Sequence, residues 1–197
     1  MKILSLVDGS KATSFLAFML AVAAFVLCGC ASTASNGNDQ IVKAAIELAG
    51  EYRSLGRLED SIGVYDKALE RTYDYRLLYN KALTIANLGD FEQAAALCQE
   101  GHGSFPYILA FKKAQAKYYI ELERWQDAAS SYIEVLELDP YDTSTRKALI
   151  SLYVTNNEPS KAAEQATILW NQGYRTAETV GLMKVSLDPS LESSQED

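Results

Sequence analysis

Cysteine offers the most covalent chemistry in this chain, and two of its three cysteines, Cys28 and Cys30, lie close together in Leu27-Cys28-Gly29-Cys30. The third, Cys98, stands far from them, so the thiols form no disulfide framework. His102 is the single histidine, which argues against a histidine metal site or a nucleophilic triad. No glycine loop of phosphate-binding type, no Cys-x-x-Cys pair and no serine-centred elbow occurs. Glutamates and aspartates follow helical spacing as surface residues, with no isolated carboxylate pair set apart for acid–base work. These residues point away from catalysis: no enzyme activity, cofactor or metal is implied, and binding is the chemistry left.

The elements that must position these residues come next. The chain has 197 residues, 48% of them apolar, enough for one packed unit. Its net charge of −8 disfavours nucleic acid as the main partner. Lys2 and Lys11 precede an unbroken apolar run, Phe15 to Leu27, whose 13 residues have the length of a signal-peptide core and are short for a spanning helix. From the residues alone this run fits a cleaved signal, a lipoprotein signal or an uncleaved anchor. Downstream, Glu121 to Pro140 reads as a tight turn, an amphipathic helix and a stop at proline. The same turn, followed by a small residue, recurs at Gly56/Ser61, Gly89/Ala94, Glu123/Ala128 and Asn157/Ala162, in steps of 33, 34 and 34 residues.

That period, with helix–turn–helix content, resembles the tetratricopeptide repeat. The resemblance covers residues 42–175 as four units, 42–74, 75–108, 109–142 and 143–175. Ala49, Ala82, Ala116 and Ile150 fall at the family's small position on the first helix, and Tyr52, Ile85, Tyr119 and Tyr153 at its large apolar one. Leu58, Phe91, Trp125 and Pro159 open the second helices. Pro106 and Pro140 mark inter-repeat turns, with Tyr73 and Tyr174 taking that place elsewhere. The expected fold is all-α: four helix–turn–helix repeats in a superhelix, with 176–187 a ninth, solvating capping helix whose apolar residues are Val180, Met183 and Leu187. Residues 188–197 carry four acids and no base, and are expected to form a disordered acidic tail.

In this family the first helix of each pair lines a concave groove. Carried over by position, the resemblance nominates Lys43, Arg53, Arg76, Tyr79, Asn87, Lys113, Lys117 and Lys147 as partner-binding residues, with Ile46, Leu83, Ile120 and Val154 beside them. Glu121 is the one acid at these positions, so the groove reads as basic and suited to a carboxylate or acidic peptide. The plainer reading is that these are the solvated faces of amphipathic helices. The two-carboxylate clamp of chaperone-tail-binding relatives is missing, since Ile46 and Gly50 stand at its first positions. Cys98 is expected to be a buried, inert thiol, and Gly101-His102-Gly103 a helix-ending turn.

Leu27 to Cys30 resembles the lipobox of bacterial lipoproteins. The resemblance implies cleavage after Gly29, removal of signal 1–29 and lipid attachment at Cys30, with 30–41 a flexible tether. Cleavage takes two lysines and one aspartate with it and leaves a net charge of −9. The expectation is a lipid-anchored, periplasm-facing envelope protein, the outer membrane being slightly favoured by Ala31. It would bind an acidic protein or peptide, the alternative being a ligand-handling accessory subunit of a solute transporter.

Overall fold

The computed structural model describes residues 37–187, and all the regular structure in that span is helical. Helix α1 occupies 37–54. It is followed by α2 (Leu58–Leu69), α3 (Tyr75–Asn87), α4 (Phe91–Ser104), α5 (Ala110–Glu121), α6 (Trp125–Leu138), α7 (Thr143–Thr155), α8 (Pro159–Asn171) and α9 (Ala177–Leu187). Each helix from α2 onward packs on the next, and α3 also touches α5, so the first helices of the second and third pairs stand side by side.

The four turns inside the pairs share one backbone solution. Gly56, Gly89, Glu123 and Asn157 all adopt the left-handed conformation, with φ of 72°, 86°, 57° and 54°. Such a residue ends the first helix and reverses the chain. Five residues later stand Ser61, Ala94, Ala128 and Ala162, each fully buried where only a short side chain lets two helix backbones approach. Pro159 opens α8, where its missing amide costs nothing. Aspartates 74, 90 and 142 cap α3, α4 and α7 by accepting from backbone amides of Arg76, Gln93 and Thr145.

Apolar stripes from three or more consecutive elements meet in each core cluster. Val42, Ala45 and Ala49 of α1 pack with Tyr65 and Leu77. Leu78, Ala82 and Ile85 pack with Cys98 and Phe111. Ala116, Tyr132, Leu149, Ile150 and Leu169 form the third cluster, which Leu182 and Met183 of α9 cover. No pair closes its own core, which is why the units must stack.

One expectation changes. Residues 37–41, placed in the tether, are helical: Asp39 bonds Lys43 one turn on and Arg76 of α3, which extends α1 backwards. Gly101-His102-Gly103 lies in the last turn of α4, which ends at Ser104, and Gly101 is there because the Phe111 ring lies against it, 2.3 Å from where a Cβ would sit. Helix α9 turns Leu182 and Met183 inward, while Val180 stays 36% exposed. The signal, Cys28 and Cys30, the rest of the tether and the acidic tail lie outside the described residues.

Candidate functional site

The outward faces of α1, α3, α5 and α7 carry the nominated groove residues, and the structure sorts these into two kinds. The first kind is already occupied. Arg76 is gripped by Asp74, through Nε at 3.0 Å and Nη2 at 2.9 Å, and by Asp39 through Nη1 at 2.9 Å. Hydrogen bonds donated to Asp74 and then to Asp39 push the guanidinium's pKa up. Lys43 spans one turn to Asp39 at 2.7 Å, and the Lys43 and Arg76 hydrogen bonds hold that carboxylate below its ordinary range.

Lys113 is paired with Asp142, the cap of α7. Burial alone would raise Asp142. The Lys113 ammonium, the Ser144 and Thr145 hydroxyls and the Thr145 amide outweigh it, holding the carboxyl well below the usual range. Tyr79 turns its ring edge-on to Phe111, at 5.7 Å between centroids, and packs against the core cluster of α3 to α5. Arg53 is half-buried.

The second kind is open. Asn87 and Lys117 are exposed, and among the described residues no carboxylate lies within ion-pair distance of Lys117. Lys147 is also exposed, its ammonium 5.8 Å above the centre of the Tyr174 ring. Beside them Ile46, Leu83 and Ile120 are half-buried and Val154 is 51% exposed. The face is therefore polar and apolar in alternation, and far less basic than its own residues suggest. The neutralising acids Asp39, Asp74 and Asp142 come from helix starts and caps, outside the lining positions.

Sequence reading missed Arg146. It is buried at 5% exposure with no carboxylate partner, donating to Gln165 Oε1 at 2.6 Å and to the Pro140 carbonyl at 2.9 Å. Burial pushes its pKa down. The Pro140 carbonyl also accepts from Gln172 Nε2 at 2.9 Å, so the cation ties the last repeat turn to the end of α8. Nearby, Lys147, Ile150, Leu169, Tyr174, Thr176, Thr179 and Leu182 line a cavity of only about 80 Å³, too small for an organic solute.

Cys98 is fully buried, and burial pushes its thiol up to about 12, so it stays protonated and unreactive at neutral pH. His102 is half-buried in the last turn of α4, where desolvation and the nearby Lys112 charge keep its pKa low. Among the described residues no cluster of three or more His, Cys, Asp or Glu side chains is placed to hold a metal ion.

Comparison with known proteins bears on the whole arrangement. A family model described as tetratricopeptide repeat matches residues 46–107. The chain superposes on a tetratricopeptide repeat protein from Parabacteroides merdae with a TM-score of 0.63 and 15% identity, over 75% of this chain and 59% of that one. It therefore spans less than two thirds of that protein's length. MamA (41-end) from Desulfovibrio magneticus RS-1 superposes with a TM-score of 0.55 and 14% identity, over 80% of this chain and 98% of that one. The first such domain of Spaghetti (RPAP3), bound to the HSP90 peptide SRMEEVD, gives a TM-score of 0.53 and 20% identity, over 60% and 94%. Taken with the four left-handed turns and the buried small residues behind them, these likenesses establish that the described residues form a tetratricopeptide-repeat superhelix.

Proposed function

We propose that this chain is a lipid-anchored repeat scaffold of the bacterial envelope that binds a segment of another envelope protein along the face of α1, α3, α5 and α7. The observation that carries the reading is that this face keeps exposed polar side chains, Asn87 and Lys117, next to accessible apolar ones, Ile120 and Val154, across consecutive repeats. Preorganised helices offer such a face with little ordering entropy opposing capture of an extended or helical peptide. The repeat domain of Spaghetti (RPAP3) holds a peptide, which supports peptide capture as the mode. Acidic character in the partner is favoured by Lys117 and Lys147, exposed cations of this face that have no carboxylate within ion-pair distance among the described residues.

The test is affinity capture with cross-linking from detergent-solubilised membranes, comparing wild type with a Lys117→Glu/Val154→Asp variant. Lys113 is a poor choice for it, because charge reversal there sets a second acid against buried Asp142. A protein held by the wild type and lost by the variant supports the reading. Equal capture by both refutes this face as the site. The anchor is tested separately, by acyl-chain mass on Cys30 and by release of a Cys30→Ser chain from membranes.

A further inference from the structure

Helix direction alternates along the stack. Every loop joining a second helix to the next first helix therefore lies at one edge, and the start of α1 lies there too. Contacts stitch this edge from end to end. Arg76 reaches Asp39 at 2.9 Å. Tyr73 stacks on Phe105 with ring centroids 5.7 Å apart. Lys113 pairs with Asp142, and Gln172 reaches the Pro140 carbonyl.

On the same edge a tyrosine recurs in every inter-repeat loop, at 73, 107, 141 and 174, in steps of 34, 34 and 33 residues. These tyrosines are 53%, 94%, 77% and 43% exposed, and Leu138 beside them is 62% exposed. Tyr107 and Tyr141 stand in open solvent and add nothing to the core, whereas Tyr73 stacks on Phe105 and reaches Glu100 and Ser104 through its hydroxyl. The opposite edge, formed by the turns inside the pairs, carries no tyrosine in its four six-residue segments 55–60, 88–93, 122–127 and 156–161. Formal charge also separates the two edges. Those four segments sum to −4, whereas 71–76, 105–110, 139–144 and 172–177 sum to zero.

We infer that the tyrosine edge rests on the lipid headgroup layer of the membrane. The inference depends on the lipid-anchor reading of Cys30 and adds the orientation of the scaffold. Tyrosine suits that layer, because its ring settles among the acyl–headgroup boundary while its hydroxyl stays wet. An edge without net charge approaches an anionic leaflet freely, while the acidic edge is repelled and faces away. The chain's own course brings the right edge down. Helix α1 starts there, and the seven residues from Cys30 to Gly37 span at most about 25 Å when fully extended. The face of α1, α3, α5 and α7 then stands upright from the membrane, open sideways to a partner.

The experiment uses the full lipidated chain in vesicles of phosphatidylethanolamine and phosphatidylglycerol. Single fluorescent labels are placed through Tyr107→Cys, Tyr141→Cys or, on the opposite edge, Glu92→Cys, while buried Cys98 stays unlabelled. Labels at 107 and 141 should be quenched by nitroxide-bearing lipids and lose quenching by aqueous iodide, with the label at 92 behaving oppositely. Equal quenching at 107 and 92, in protein whose mass shows an acylated Cys30, overturns the inference and leaves the anchor standing. An unacylated mature chain overturns the anchor, and the orientation with it.

Discussion

Gly101→Ala should destabilise this protein, although alanine is the better helix former. Gly101 lies inside α4, and a Cβ there would stand 2.3, 2.5 and 2.7 Å from three carbons of the Phe111 ring. Phe111 cannot swing aside: it is fully buried and braced edge-on by Tyr79. Forcing a methyl into such a seam costs about 1–3 kcal/mol, against which alanine's helical preference returns about 1 kcal/mol. Gly63 is the internal control, since it sits mid-helix in α2 with nothing within 4 Å of its Cβ direction. Gly63→Ala should stabilise by about 0.5–1 kcal/mol. The two variants should thus separate by about 2 kcal/mol, or about 5 °C in melting temperature for a chain of this size. Circular dichroism melts at neutral pH read this directly. A Phe111→Leu background should reduce the cost of Gly101→Ala, because the ring edge is gone. If Gly101→Ala raises Tm as Gly63→Ala does, the close approach of α4 and α5 at this point is wrong.

Two further outcomes follow from the turns and caps. Glu123→Gly should stabilise the fold by roughly 0.5–1 kcal/mol, because Glu123 holds a left-handed φ of 57° that glycine occupies in the first two repeats; a destabilised melt refutes this. Asp142→Asn should cost about 1–2 kcal/mol at pH 7, where the ionised carboxylate holds Lys113 and the start of α7. Because the folded pKa of Asp142 is depressed, its contribution is complete above the unfolded value of about 3.9 and is lost as pH falls below it. The gap between wild type and variant should therefore close in acid, and a gap that persists there would mean that charge is not its source.

The fold was legible because the repeat encodes it locally. Gly56 and Gly89 announce left-handed turns outright. Glu123 and Asn157 are found only by counting 34 residues from them, since nothing in a glutamate signals positive φ. Small residues at 61, 94, 128 and 162 then mark the helix crossings, and all four are buried. The limits lie where a residue's state depends on a distant neighbour. Gly101 looks like a helix terminator until Phe111 is placed against it. Residues 37–41 look like tether because their small and polar composition is weak. Their helical state comes from Asp39 meeting Arg76, 37 residues away. Arg146 hides for the opposite reason: a charged residue next to Lys147 reads as solvated, yet it supplies hydrogen bonds inside the last turn.

The same non-locality reshapes the binding face. Counted along the first helices alone, α3, α5 and α7 carry seven cations and one acid, Glu121. In three dimensions Lys81 pairs with Asp66 at 2.6 Å, Lys112 with Glu134 at 2.6 Å, Lys113 with Asp142, and Arg76 with two aspartates. Most of the apparent basic charge is therefore internal wiring between helices, and removing it would loosen the stack before it changed any partner contact. What is left to meet a partner is sparse, Lys117 and Lys147 two helices apart, with apolar contact between them. A partner read by such a face is selected by shape and by one or two well-placed carboxylates, so its binding should depend on salt only weakly compared with a fully basic groove.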